Sequence, residues 1–345
     1  MSDRIRQILI VYKQYRFEVA AVLALGLFTI IGELISAWQF STVHLPSGCD
    51  PYTAQNIQFG WGGPQPTIEC INASQAWLNI NNGLLMRLTA SPWTLPFIFG
   101  VVLGAPLVAR EVESGTAAIS WALAGSRRRW LLGRMGAMLL LIVPLLLLAG
   151  LSGDLLYGAI NQGSNPWASF TDYQGRGLPL LFWGLAAFAG TVAVSSLIGR
   201  QVPALLVAAF VCLSVRGQWD ALAARTWLQP FAVVMASGDQ LKTGDVTVSW
   251  SDDLVLKQLN YLHGEPWDGD MNAWFNEHMV NTVNPDGTVY GRLNVPQSEQ
   301  PTSIPFGIWH DRYWPVVALN AGILLAGALF CAVVGLFWVG RRKPY

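Results

Sequence analysis

Six long apolar runs constrain this chain more than any other feature. They lie near Phe17–Ala37, Pro92–Ala109, Trp130–Gly153, Leu178–Gly199, Val202–Val215 and Trp314–Val339. A helix needs about 20 apolar residues to cross the hydrocarbon core of a bilayer. Backbone amides facing lipid must be satisfied within the segment, so runs of this length read as spanning helices. The second and fifth are the shortest, ending at Arg110 and Arg216, and only the stretch GRQV joins the fourth to the fifth. That stretch implies a tight helical hairpin. Charged residues make up 12% of the 345 positions, against about 25% in soluble domains. The net charge is zero, which leaves no electrostatic footprint for nucleic-acid binding. The opening MSDRIRQILIVYKQYRF has no small-residue cleavage site behind a short apolar region, so it does not read as a cleaved signal peptide.

Basic residues favour short cytoplasmic loops. Arg4, Arg6, Lys13 and Arg16 precede the first run; Arg110, Arg127, Arg128, Arg129 and Arg134 lie around the gap between the second and third. Arg200 sits in the fourth–fifth turn, and Arg341, Arg342 and Lys343 close the chain. All fall on one side of a six-span arrangement. The opposite side has only Arg87 in Phe40–Ser91 and only Arg176 in Asp154–Gly177, and the six basic residues of Arg216–Tyr313 are spread over a segment too long for charge to set its side. The expected fold is therefore an α-helical integral membrane protein of six transmembrane helices with both termini cytoplasmic. A small mixed α/β external domain lies between spans five and six. Residues 1–16 form an amphipathic cytosolic N-terminal helix, and 17–215 hold spans one to five, including an external loop at 40–91. Residues 216–313 make the external domain, and 314–345 the sixth span with a basic tail. Trp38, Trp93, Trp314 and Trp338 stand near span ends, as an aromatic belt requires.

Within the first external loop, ASQAWLNINNGLLMRLTA is helix-like. In the external domain, QWDALAARTWLQPFAVVMA reads as an interfacial helix and GDVTVSW as a strand. SDDLVLKQLNYLHG and DGDMNAWFNEHMVNTV read as helices, and NPDGTVYGRLNV as a turn flanked by strand. Cys49 and Cys70 share the first external loop, where an oxidising compartment would let them pair; the alternative is two free thiols. Cys212 and Cys331 lie inside spans and read as small apolar residues.

One stretch breaks the apolar pattern: AREVESGTAAISWALAGSRRRWL, from Ala109 to Leu131. Gly115 is the only helix breaker between Glu111 and Ala124, so a short helix parallel to the membrane is expected. It would present Glu111, Glu113 and Thr116 to the cytosol, while Ile119, Trp121 and Leu123 contact lipid or a partner. Arg127, Arg128 and Arg129 would then sit at the phosphate level and Trp130 at the interface, anchoring the return into the membrane. A charged loop obeying the positive-inside rule accounts for the arginines alone. It leaves the acidic, Gly-Thr-containing front half unexplained.

GAPLVAREVESGTAAISWALAGSRRRWL resembles the cytosolic element of ABC-2-type permeases, the membrane subunits of ATP-binding-cassette exporters. That family carries an Arg-Glu-x-Glu-x-Gly-Thr pattern after its second span and a Ser-Arg-x-Arg-Trp approach to the third. GRGLPLLFWGLAAFAGTVAVSSLIGRQVPALL and DRYWPVVALNAGILLAGALF are similar to the fourth, fifth and last spans of actinobacterial members. The likeness fades over the external domain. It implies that Arg110, Glu111, Glu113, Gly115 and Thr116 belong to a coupling helix, within 110–129, that seats in a cytosolic ATPase. It also implies two ATPase subunits, which bind ATP and Mg, and a second permease copy or relative. The cofactors are thus expected on the partner and none on this chain. The location implied is the cell membrane, most simply a bacterial plasma membrane.

No G-x-x-x-x-G-K-[ST] phosphate loop occurs, so the chain is expected to be a transport subunit and no enzyme by itself. His44, His263, His278 and His310 show no tight metal spacing, and no metal is expected. Glu265, Asp268, Asp270, Glu277 and His278 read as a solvated acidic face rather than a weak metal site. No G-x-S-x-G elbow is present. Glu33, flanked by apolar residues in the first span, is a pathway candidate; it faces a central pathway, a partner helix or the outer headgroups. The functional expectation is a permease coupling ATP hydrolysis elsewhere to movement of an amphiphilic substrate, such as a lipid, peptide or drug. The alternative is a non-transporting sensor that binds a ligand with its external domain.

Overall fold

The computed structural model describes residues 3–46, 49, 67–89, 92–162, 165–235, 253–262, 265–283, 289–293, 295 and 302–342. Helix α1 (Asp3–Gln14) leads into α2 (Arg16–Ser41), followed by α3 (Ile68–Asn81), α4 (Leu84–Thr89) and α5 (Leu95–Glu113). A short α6 (Ala117–Leu123) joins α5 to α7 (Arg127–Ile160); α8 (Gly177–Ile198) and α9 (Gln201–Arg225) follow as a hairpin. After a segment containing α10 (Met271–His278), α11 (Tyr313–Arg341) closes the chain. Six of these, α2, α5, α7, α8, α9 and α11, are long and apolar enough to cross a membrane.

The spans run longer than the apolar runs that mark them. α7 has 34 residues and extends past Trp130–Gly153 at both ends. α9 has 25 and continues through Arg216 to Arg225. The short fifth span and the start of the interfacial helix expected from Gln218 are therefore one continuous helix, while the rest of that stretch is no α-helix and reaches the strand Val233–Val234. Its added turns, GQWDALAAR, are rich in alanine, which offsets the cost of about 1 kcal/mol that Gly217 brings to a helix interior. Pro96 and Pro203 occupy the first turns of α5 and α9, where a missing N–H is no loss. Pro144 lies in the interior of α7.

The chain divides into two compact units: Met1–Trp167 with Asp172–Gln218 and Val317–Tyr345, and Ala168–Thr171 with Trp219–Val316. In the first, the most extensively packed helix pair is α5 with α8. Gly100 and Gly104 explain it. A Cβ at Gly100 would stand 2.7 Å from the Ala187 backbone carbon, and one at Gly104 2.9 Å from Thr191 Cβ. Small residues let helix backbones approach where lipid supplies no hydrophobic drive. Leu95, Phe99, Leu103 and Leu107 form an i, i+4 stripe on α5 that packs with Met138, Ile142, Leu146, Phe188 and Val192. α9 and α11 leave most of their apolar surface open, including Leu206, Phe210, Leu329 and Phe330.

α3 packs beside the ends of α2 and α7, with the Phe40 and Trp77 rings 5.4 Å apart. Thr67 caps α3 by accepting from the Cys70 amide, and Cys70 is disulfide-bonded to Cys49. Residues 50–66 of that loop lie outside the described residues.

The second unit holds an antiparallel sheet in the order β1-β6-β2-β3, from β1 (Val233–Val234), β2 (Leu254–Leu262), β3 (Glu265–Pro266) and β6 (Thr302–Ile308). β4 (Met279–Val283) and β5 (Val289–Leu293) pair separately. Two expectations are corrected here. SDDLVLKQLNYLHG contributes a strand and no helix, and the helix from Met271 stops at His278, giving way to β4. The first error has a physical cause. β2 pairs with β6 in two registers, and the shift between Val255 and Lys257 inserts Leu256 as a bulge. One inserted residue reverses the in–out alternation, which hides a period of two. The expected strand at 244–250 lies outside the described residues.

Candidate functional site

The Ala109–Leu131 stretch folds as the end of α5, a turn, the seven-residue α6 and the start of α7. Gly115 has φ 72°, and its amide bonds back to Val112 O. A left-handed residue just past a helix is the usual C-terminal stop, and only glycine adopts it without strain. Gly125, also at φ 72°, ends α6 in the same way, and Ser126 then caps α7 by accepting from the Arg129 amide at 3.2 Å.

Glu111 departs from its expected outward position. It is 2% exposed and lies at the centre of a polar network. Its carboxylate pairs with Arg134 at 2.9 Å and accepts from Ser120 Oγ at 2.6 Å, from Thr116 Oγ1 at 3.1 Å and from Gln14 Nε2. Arg134 also donates to the Tyr15 hydroxyl at 2.6 Å and lies over the Trp130 ring. Tyr15, fully buried between α1 and α2, donates in turn to Leu107 O. Burial pushes its phenol up to about 12, with Arg134 opposing. It therefore remains a neutral donor.

The neighbouring charges hold other elements. Arg110 meets Glu18 at 3.3 Å on a partly exposed face. Glu113 is exposed yet accepts the Gln201 amide at 2.8 Å. It thereby satisfies one of the orphan N–H groups at the start of α9 and complements the helix dipole. Arg127 is half-buried; it stacks on Trp121 and donates to the Gly340 and Arg342 carbonyls at the end of α11. Arg342 reaches Ser196 O at 2.7 Å. Trp130, 7% exposed, packs edge-on against Trp121. Arg128 and Arg129 are exposed, as an anchoring role requires. These contacts bring the ends of α2, α5, α7, α8, α9 and α11 that carry the basic residues to one side.

Beside the exposed charges, α6 itself turns apolar side chains outward. Ile119 and Leu123, one turn apart on α6, are 66% and 84% exposed. They project from a segment fixed at both ends by the Glu111 and Arg127 contacts.

Glu33 is turned against α7, where it accepts from Ser152 Oγ, and it is 0% exposed. Asp154 and Arg176 form a buried ion pair at 2.8 Å. The available signal was the rule that charges at span ends pair with one another. Glu111–Arg134 was missed for the same reason: the partners lie on different elements, 23 positions apart. In the second unit Asp270 caps α10 at Ala273 N, and His278 stacks on Trp274 at 4.1 Å. Among the described residues no group of three or more His, Cys, Asp or Glu could hold a metal ion.

A family model described as ABC-2 membrane transporter related matches residues 17–224. No curated protein and no solved structure matches the chain.

Proposed function

The chain belongs to the ABC-2 membrane transporter related family and is a multi-pass membrane protein; on that premise we propose that it is the permease subunit of an ATP-driven exporter. A separate ATPase supplies the energy, and α6 with its flanking turns is where that ATPase bears on the membrane helices. The observation that carries this reading is the segment from Ala117 to Gly125. It stands at the basic end of the bundle, turns Ile119 and Leu123 outward, and is tied through Glu111 to α1 and α7 and through Arg127 to α11.

A push on α6 therefore reaches several helices at once. Glu111 and Glu113 serve the permease internally, holding the lever in place, while Ile119, Leu123, Arg128 and Arg129 offer the contact surface. The positive-inside rule puts this end in the cytosol and both termini with it. The cell membrane is the location, and the disulfide between Cys49 and Cys70 suits an oxidising exterior. ATP and Mg bind on the partner. Two ATPase copies and a second permease complete the pathway, and the cargo is amphiphilic, in keeping with an apolar bundle.

The test is Leu123→Glu, alone and with Ile119→Glu. Both positions are exposed, so the unfolding midpoint should move little, within about 0.5 kcal/mol. Co-purification of the ATPase, or stimulation of its activity, should fall at least tenfold. Full retention of both would refute α6 as the contact.

A further inference from the structure

Away from the basic end, α2 and α7 enclose a second set of polar groups. Glu33 Oε2 accepts from Ser152 Oγ, but Oε1 is buried with no hydrogen-bond partner. Ser36, one turn further along α2, is 1% exposed, and its hydroxyl is also without a partner. Ser152 has a single proton to give, and Ala149 O at 3.0 Å competes for it. Two orphan polar atoms on one buried helix face call for an occupant.

The surrounding charges do not supply one. From α7 comes Asp154 and from the segment before α8 comes Arg176, and these two neutralise each other. Arg176 is further occupied by Pro166 O at 2.6 Å and by the Tyr157 ring. α3 brings Glu69 and α4 brings Arg87, both exposed. The charges of α1 and α5 (Lys13, Arg110, Glu111 and Glu113) gather at the other end of α2, roughly 22 Å away by helical rise. An ionised Glu33 would thus be a net charge out of water with one oxygen bare, the costliest state available to it. A metal cation would need several more oxygens, and the helix carbonyls here are engaged in the helices themselves. A proton needs only Oε1.

We propose that Glu33 is a proton-binding residue inside the α2–α7 contact, with Ser36 and Ser152 as its polar lining. A proton from bulk water adds to Oε1, converting carboxylate to carboxylic acid and removing the net charge. The protonated oxygen then carries no net charge into the helix contact. Loss of the proton reverses the step and places an uncompensated charge between the two helices. The inference is independent of the ATPase reading above.

Infrared spectroscopy of the purified full chain in lipid nanodiscs tests it. At neutral pH the wild type should show a carboxylic-acid carbonyl band, downshifted in D2O and moved by 13C-labelled glutamate. The band should vanish in Glu33→Gln. Ser36→Ala and Ser152→Ala should shift its frequency without abolishing it, which keeps the test alive if Glu33→Gln fails to fold. Absence of the band in wild type at neutral pH, from internal water or a bound monovalent cation holding an ionised Glu33, would overturn the proposal. So would a band that survives Glu33→Gln, or one that appears only when sodium and potassium are withdrawn.

Discussion

Glu111 illustrates how one residue in a motif can serve the fold rather than a partner. Its carboxylate holds Arg134, Ser120, Thr116 and Gln14 together. Removing one member of such a buried pair strands the other, at about 3–5 kcal/mol. Glu111→Ala should lower stability by that amount in denaturant titrations in detergent, and Glu111→Met with Arg134→Met should recover most of it. Gly115 makes a separate contribution through its backbone: Gly115→Ala should cost about 1–2 kcal/mol because φ 72° is the left-handed region. Tyr15 supplies a pH dependence. Its folded-state value, about 12, lies above the ordinary 10.0. The stabilisation is fully present below the unfolded value and is lost as pH rises through the folded one. Tyr15→Phe should therefore lose less stability than wild type between about pH 10 and 12. The same alkaline loss in both proteins would show that the phenol is not shielded as described.

At the scale of elements, composition made the six spanning helices legible, because length and hydropathy alone decide whether a segment crosses a bilayer. Their ends were less so. The continuation of α9 past Arg216 and of α7 past Gly153 depends on helix formers that follow the apolar run, which a hydropathy reading ignores. β2 was misread because the bulge at Leu256 is set by its pairing with β6, a tertiary fact. Within the candidate site, the motif positions were visible and their roles were not. Glu111 and Glu113 are two residues apart, yet one points into the bundle and the other caps α9. Only helical phase at the end of α5 separates them. Glu113→Gln should weaken the α9 start by about 0.3–1 kcal/mol, read as faster amide exchange at Gln201 and its neighbours. Unchanged exchange there would remove the capping role.

For the molecule as a whole, basic residues from four separate places in the sequence fall at one end of the bundle, so orientation is a single binary question. A membrane-impermeant maleimide applied to intact cells should label Arg87→Cys and leave Ser126→Cys unlabelled until the cells are opened. The reverse pattern would invert the arrangement and place α6 outside, beyond reach of any ATPase. The most direct measurement of the central claim is gentle-detergent purification of the tagged chain, followed by mass spectrometry and an ATPase assay of the eluate. The expected result is a stoichiometric soluble protein bearing a phosphate loop, with ATPase activity that falls when Leu123→Glu replaces the wild type. A chain that purifies alone, under conditions that preserve comparable membrane complexes, would contradict a permease driven by a separate ATPase.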